Sequence, residues 1–381
     1  MLGSLADVVS PIPVGEFLCA FQGKKRLYIK ATEPARADSL LPWRDIETMI
    51  SMRDFDDMEA MQNGMVLPPQ LYRTGPDMSA FHDLLDQGAS IVVRQVQLKI
   101  PQIQWLATAL ERQMGFGVGV NAYFSFSKGG AFKPHWDRHD VLIVQIHGKK
   151  TWRIWDAKLK NPIERSWNAK HDITEANAEE LELSPGDVLY IPRGEPHAAS
   201  VSDGGSVHLS IGLDCPNGMD LLQQLNQAAA QDEFLRSDLP PQEAEARLRE
   251  HEAELKTRLH RLVDTLDIIT FLKEDDANRP PVRQVSLASS EAASDVLRLT
   301  LRRRVPLPEA SGDETQPVTI GGTVYSLSPA SIDILRRLFA RDGQSRGVLI
   351  DALSPRLGKG AVTNGLRELS RLGFLVTDRA V

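Results

Sequence analysis

HWDRHDVLIVQIHGKKTWRIW, residues 135–155, reads as two strands and a turn. Residues 141–146 and 150–155 are β-branched and aromatic-rich runs, and His147-Gly148-Lys149 between them supplies a glycine, the pattern of a β-hairpin. Alternation in the second run puts Lys150, Trp152 and Ile154 on one face and Lys149, Thr151 and Arg153 on the other. Lys150 thus shares a face with apolar residues. A lysine turned into an apolar interior is costly unless an anion meets it, and Asp156, the acid of matching parity, lies roughly 20 Å along an extended strand. A bound dicarboxylate serves better; the alternative is a lysine at the strand end that snorkels to water.

The same stretch opens on His135-x-Asp137, and His197 follows about sixty residues after the aspartate. Two imidazoles and one carboxylate can cap one face of a metal octahedron and leave the other positions open, the facial triad of non-heme Fe(II) oxygenases. The approach to His197 is stiff: Ser184-Pro185-Gly186-Asp187 is a tight turn, 188–191 a strand, and Pro192-Arg193-Gly194-Glu195-Pro196 a second turn. Beyond it, 206–213 alternates Val207, Leu209 and Ile211 against Ser206, His208 and Ser210. Short strands and hairpin turns in this density point to an α+β chain whose centre is a double-stranded β-helix of the jelly-roll or cupin type.

NAYFSFSKGGAFKPHWDRHDVLIVQIHGKKTWRIW (121–155), GDVLYIPRGEPHAAS (186–200) and SVHLSIGL (206–213) together resemble the JmjC-type, cupin-fold ribosomal oxygenases, which are Fe(II)- and 2-oxoglutarate-dependent protein hydroxylases. The resemblance makes His135, Asp137 and His197 the iron ligands. Lys150, fifteen positions after the first of them, becomes the partner of the distal carboxylate of 2-oxoglutarate. Some bacterial members carry arginine there, which keeps the charge and changes the hydrogen-bond geometry. Asn121, Tyr123 and Ser210 fall where the family places further polar contacts to the co-substrate, although Ser210 stands where a threonine is common. His208 falls at a family histidine near the substrate. O2 is the remaining co-substrate. The implied substrate is a protein side chain, an arginine or histidine of a ribosomal protein, and the implied assembly a homodimer.

Composition agrees with a soluble, cytoplasmic enzyme. At 381 residues the chain is long enough for two or three domains, and a net charge of −7 argues against generic adhesion to nucleic acid. Cys19 and Cys215 stand far apart, so no disulfide framework is expected. MLGSLADVVSPIPVGEFL at the N-terminus has neither a basic segment nor a long apolar one, and no later stretch has the length of a membrane span.

The expected domains are 1–215, the JmjC/cupin unit with an N-terminal helical flank, then 216–290, a helical dimerisation module, and 291–381, a winged helix. In the flank, 89–96 reads as a buried strand, 103–114 as a helix, and Trp43 and Trp105 as core. Leu248, Leu255, Leu259, Leu262, Leu266 and Ile269 recur at helical spacing after Pro240-Pro241, which predicts one long amphipathic helix, packed on its own domain or forming the dimer. A charged linker is expected over 274–289. Helices at 331–340, 348–353 and 361–372 and a strand at 373–376 complete the winged helix. From Gly321 to Val381 there are nine Lys or Arg against five acids, too mild an excess for a DNA-reading face, so a protein-contact or structural role is favoured.

Besides the protein hydroxylase, two readings stand: a hydroxylase of a free amino acid or peptide precursor, and a non-catalytic regulator pairing a cupin with a DNA-binding winged helix. The triad together with Lys150 favours an enzyme, because a pure sensor needs no vacant coordination positions.

Overall fold

The computed structural model describes residues 2–52, 57–62, 64–72, 79–126, 133–164, 177–201, 204–242, 244–277, 292–309 and 314–378. The chain divides into two compact units, 1–214 together with 281–381, and 215–280. The first holds strands β1 (Leu27–Ile29), β2 (Met58–Gln62), β3 (Met65–Val66), β4 (Ser90–Val93), β5 (Gly117–Ser125), β6 (Asp140–His147), β7 (Lys150–Ile154), β8 (Glu179–Leu183), β9 (Val188–Ile191), β10 (His197–Ser200) and β11 (Ser206–Asp214). An eight-stranded antiparallel sheet runs β1-β9-β6-β11-β5-β4-β2-β3, and a three-stranded one runs β10-β7-β8.

Strand alternation separates two apolar layers. Val120, Ala122 and Phe124 of β5, Leu142 and Val144 of β6 and Leu209 and Ile211 of β11 form the main core with Ile103, Leu106 and Leu110 of the helix Pro101–Met114. The opposite face sends Val141, Ile143, Leu189 and Ile191 against Trp152, Ile154 and Leu183 of the smaller sheet. β6 is apolar on both faces because both are covered, and full burial of each such side chain stabilises by ~1.5–3 kcal/mol.

The expected hairpin across Gly148 does not form. β6 lies between β9 and β11, whereas β7 lies between β8 and β10, so the chain steps from one sheet to the other. Both edges of β6 are taken, and none is left for β7. Gly148 makes the corner: its φ is +61°, and a Cβ there would stand 1.8 Å from the Gly205 carbonyl oxygen. The Gln145 amide satisfies the turn by donating to the His147 and Gly148 carbonyls at 2.8 and 3.0 Å and to Ser206 Oγ at 2.9 Å.

The flank mixes helix and strand, and β1 to β4 extend the large sheet on both sides. The strand expected at 89–96 occupies Ser90–Val93, and the helix expected at 103–114 starts at Pro101 and ends at Gly115, whose φ is +81°. Trp105 is core; Trp43 is not, being 45% exposed with its indole N–H bonded to Glu47 at 2.8 Å.

In the second unit the leucine stripe does not form one helix. Glu245–Asp264 ends at Thr265, and Ile268–Ala277 begins anew. Asp267 decides this: its carboxylate accepts the Ile269 N–H at 2.9 Å and the Thr270 hydroxyl at 2.7 Å, capping a fresh helix and leaving Leu266 and Ile269 on separate segments. The helix Glu245–Asp264 is tied to its own unit by Arg258, which grips both oxygens of Asp232 at 3.0 and 2.9 Å, and by His251 stacked on Phe234 at 4.4 Å. It buries no side chain within the unit.

The C-terminal part adds β12 (Val296–Leu299), β13 (Gln316–Ile320), β14 (Thr323–Leu327), β15 (Gln344–Ser345) and β16 (Leu375–Asp378), with helices Pro329–Ala340, Arg346–Leu357 and Lys359–Arg371. The middle helix is longer than its expected span of 348–353. The β13–β14 hairpin was not anticipated, and neither was β12, which lies between β15 and β16. Of the expected linker, 274–277 belongs to a helix and 278–289 lies outside the described residues. This part is joined to the cupin through the end of helix Pro101–Met114. The buried Arg112 donates to the Leu301 carbonyl at 2.9 Å and pairs with Asp342 at 3.1 Å, and Arg303 donates to the Glu111 carbonyl at 3.2 Å.

Candidate metal centre

His135 and His197 meet across a backbone bridge. The His197 N–H donates to the His135 carbonyl at 2.8 Å and the His135 N–H to the His197 carbonyl at 3.1 Å, which sets the two rings 4.5 Å apart. The intervening loop is braced in turn. Gly194 N–H donates to the Asp137 carbonyl at 3.1 Å, Arg193 N–H to Asp140 Oδ1 at 3.0 Å, and the Tyr190 hydroxyl to Asp140 Oδ2 at 2.6 Å. His197 is sixty residues from Asp137 along the chain, so these bonds and not local sequence bring it to the His135-x-Asp137 pair.

His135, Asp137 and His197 are buried, and their ligand atoms all lie within 4.8 Å of one another. Nδ1 of His135 is 2.9 Å from the Lys133 carbonyl and Nδ1 of His197 3.0 Å from the Glu195 carbonyl. A carbonyl only accepts, so each Nδ1 carries the proton and each Nε2 keeps its lone pair for a metal. His197 Nε2 stands 3.7 Å from Asp137 Oδ2, beyond hydrogen-bond range but a fitting span for a cation between them. The donor set therefore fits a divalent iron.

Lys150 enters the same cavity, which Val141, Ile143, Trp152 and Ala199 wall on the apolar side. It is 5% exposed, on the face it shares with Trp152 and Ile154, so it does not snorkel. Lys149, on the other face, is exposed and paired with Glu182 at 2.7 Å. Asp156 is engaged elsewhere, with Arg26. The Lys150 ammonium donates to a neutral partner, Ser125 Oγ at 3.1 Å, and burial pushes its pKa down to about 7. Among the described residues no carboxylate answers it.

Tyr123, His208 and Ser210 also line the cavity. The His208 ring stacks on Tyr123 at 4.8 Å and 6° and meets Trp152 edge-on at 5.4 Å. Burial, and then the Lys150 charge, hold its pKa well below the ordinary range, so it is a neutral imidazole. Asn121 sits opposite Ser210 in register but does not line the cavity; its Oδ1 accepts the Gln95 N–H at 3.1 Å. Sequence reasoning missed Ser125. Its parity with Asn121 and Tyr123 on β5 is a signal that could have found it, whereas Tyr190 and Asp140 carry none, since their role depends on a contact across 50 residues.

A JmjC domain family model matches residues 93–221. The chain is similar to the bifunctional lysine-specific demethylase and histidyl-hydroxylase NO66 of Dictyostelium discoideum, 27% identical over 55% of this chain and 42% of that protein. The protein of the same name from Aedes aegypti is 24% identical over 90% of this chain and 54% of its own length, so the chain spans about half of these relatives. In structure it is similar to the ribosomal oxygenase YcfD of Escherichia coli, with a TM-score of 0.52, 19% identity, and 96% and 98% of the two chains covered. YcfD in complex with cobalt and 2-oxoglutarate matches with a TM-score of 0.51 at 19% identity, over 97% of this chain and 99% of that one, a likeness of fold. His135, Asp137 and His197 all lie inside the segment that the JmjC domain model matches, on a fold similar to that of a ribosomal oxygenase.

Proposed function

We propose that this chain is an Fe(II)- and 2-oxoglutarate-dependent oxygenase that hydroxylates a protein side chain, an arginine or histidine of a ribosomal protein, in the cytoplasm. The observation that carries the reading is Lys150. A buried ammonium with no acid partner among the described residues is unfavourable by several kcal/mol unless an anion is provided, and its cavity also holds the triad. A dicarboxylate whose keto acid end binds the metal and whose far end meets Lys150 answers both. With 2-oxoglutarate and O2, iron held at His135, Asp137 and His197 supplies oxidative decarboxylation to succinate and CO2, coupled to insertion of one oxygen atom into a C–H bond. The residues of the chain orient and exclude. The apolar wall keeps water out, Lys150 sets the co-substrate's direction, and Tyr123, His208 and Ser210 line the remaining space.

The test is mass spectrometry of ribosomal proteins from cells with and without the gene. One arginine or histidine peptide is expected to lose the added mass of one oxygen atom when the gene is absent. An unchanged set of peptides, with succinate still formed by the purified protein, would reject the ribosomal substrate.

We also read 215–280 as a dimerisation module and the C-terminal part as a winged helix used for protein contact. In the former, Leu259, Val263, Ile268, Ile269 and Leu272 are 41–66% exposed, an apolar surface that a monomer leaves in water. The protein is expected to sediment as a dimer, and Val263→Glu combined with Ile269→Glu to give folded monomers. A wild type that stays monomeric at micromolar concentration would contradict this. Among the described residues no helix is long and apolar enough to cross a membrane.

A further inference from the structure

Ser125 on β5 is paired in register with Ser90 on β4, a strand of the flank outside the jelly roll proper. Both are buried, and their hydroxyl oxygens are 2.6 Å apart. Ser125 Oγ is also the acceptor for the Lys150 ammonium at 3.1 Å. A hydroxyl has one proton and two acceptor sites. Either hydroxyl can donate in this pair: if Ser125 donates, the left-over proton is on Ser90, away from Lys150, and a buried proton without an acceptor is costly. If Ser90 donates instead, both acceptor sites of Ser125 are filled, by Lys150 and by Ser90. The left-over proton is then on Ser125, 3.1 Å from the Lys150 ammonium, where an anion that meets Lys150 can accept it, so anion binding selects this arrangement.

We propose that Ser90 is a positioning residue for co-substrate binding: by donating to Ser125 it frees the Ser125 proton for the distal carboxylate that the neighbouring Lys150 ammonium, which lines the cavity, would hold. This rests on the oxygenase reading above and adds a donor to it. It also gives the flank strand a direct part in the site. A carboxylate offers the acceptor sites that two converging donors need, and a hydrogen bond to a charged group is stronger than one between neutral partners.

The experiment compares two keto acids on the cobalt-loaded protein by calorimetry. 2-Oxoglutarate has the distal carboxylate, and 2-oxobutyrate has the same keto acid end without it. Ser90→Ala is expected to weaken 2-oxoglutarate binding by about tenfold, the size of one charge-assisted hydrogen bond, and to leave 2-oxobutyrate binding as it was. In turnover the loss should fall on KM for 2-oxoglutarate, and Ser90→Thr, which restores the hydroxyl, should recover it. Ser90→Cys, nearly isosteric and a weak donor, should behave like the alanine variant and serves if that variant folds poorly. Unchanged 2-oxoglutarate affinity in Ser90→Ala, or an equal loss for both keto acids, would overturn the proposal. A wild type that binds neither keto acid would instead remove the oxygenase reading, and this inference with it.

Discussion

His135→Ala or Asp137→Ala is expected to abolish iron binding and 2-oxoglutarate turnover while the fold persists. Each substitution removes one of three ligands and leaves a pair that cannot enclose a metal face. Outer partners of metal ligands alone typically matter by ~10–100-fold in affinity, so loss of a ligand itself should exceed about 100-fold. The fold should survive because the His135–His197 bridge is made by backbone groups and the Asp137 loop is held through its carbonyl and through Asp140. Metal titration, succinate release and circular dichroism together check this. Unchanged succinate production in either variant would remove those residues from the metal centre.

The second large effect is at Lys150. Lys150→Met keeps the volume and deletes the charge, so the distal carboxylate of 2-oxoglutarate loses its partner in a desolvated site, a change that typically costs ~3–5 kcal/mol. Affinity should fall by about 100-fold or more, at roughly 1.4 kcal/mol per tenfold. Metal affinity should change little, and Lys149→Ala, on the solvent face, should be nearly silent. The pH dependence follows from the free-protein pKa of about 7. Below it Lys150 is already charged and affinity is flat; above it binding must take up a proton, and affinity should fall by up to about tenfold per pH unit. Stability of the protein without co-substrate runs the other way. Between about 7 and the ordinary value of 10.5 the unfolded chain binds the extra proton, so stability rises with pH across that window, and Lys150→Met should flatten the rise. A flat affinity profile, or sensitivity at Lys149 in place of Lys150, would mean that the strand register or the role of the cavity is wrong.

The amino-acid sequence alone determined the parts of this protein that depend on local periodicity and on chemically distinctive residues. His135, Asp137 and His197 were legible because few residue types bind metal, and Lys150 because a charge in phase with Trp152 and Ile154 on a five-residue strand points inward. The alternation of 206–213 likewise separated the core face from the face carrying His208 and Ser210. Tertiary structure decided what periodicity does not encode. Which strands pair is a long-range matter, so the apparent hairpin across Gly148 became a step between two sheets once β9 and β11 had claimed both edges of β6. A competing cap at Asp267 cut the leucine stripe in two, although the stripe's spacing ran straight through it. Asn121 shares a face with Tyr123, yet the Gln95 backbone takes its carbonyl oxygen. The meeting of Ser90, Ser125 and Lys150 lies on three strands from distant parts of the chain, and a hydroxyl pair gains its meaning only from the groups that the fold sets within 3.1 Å of it.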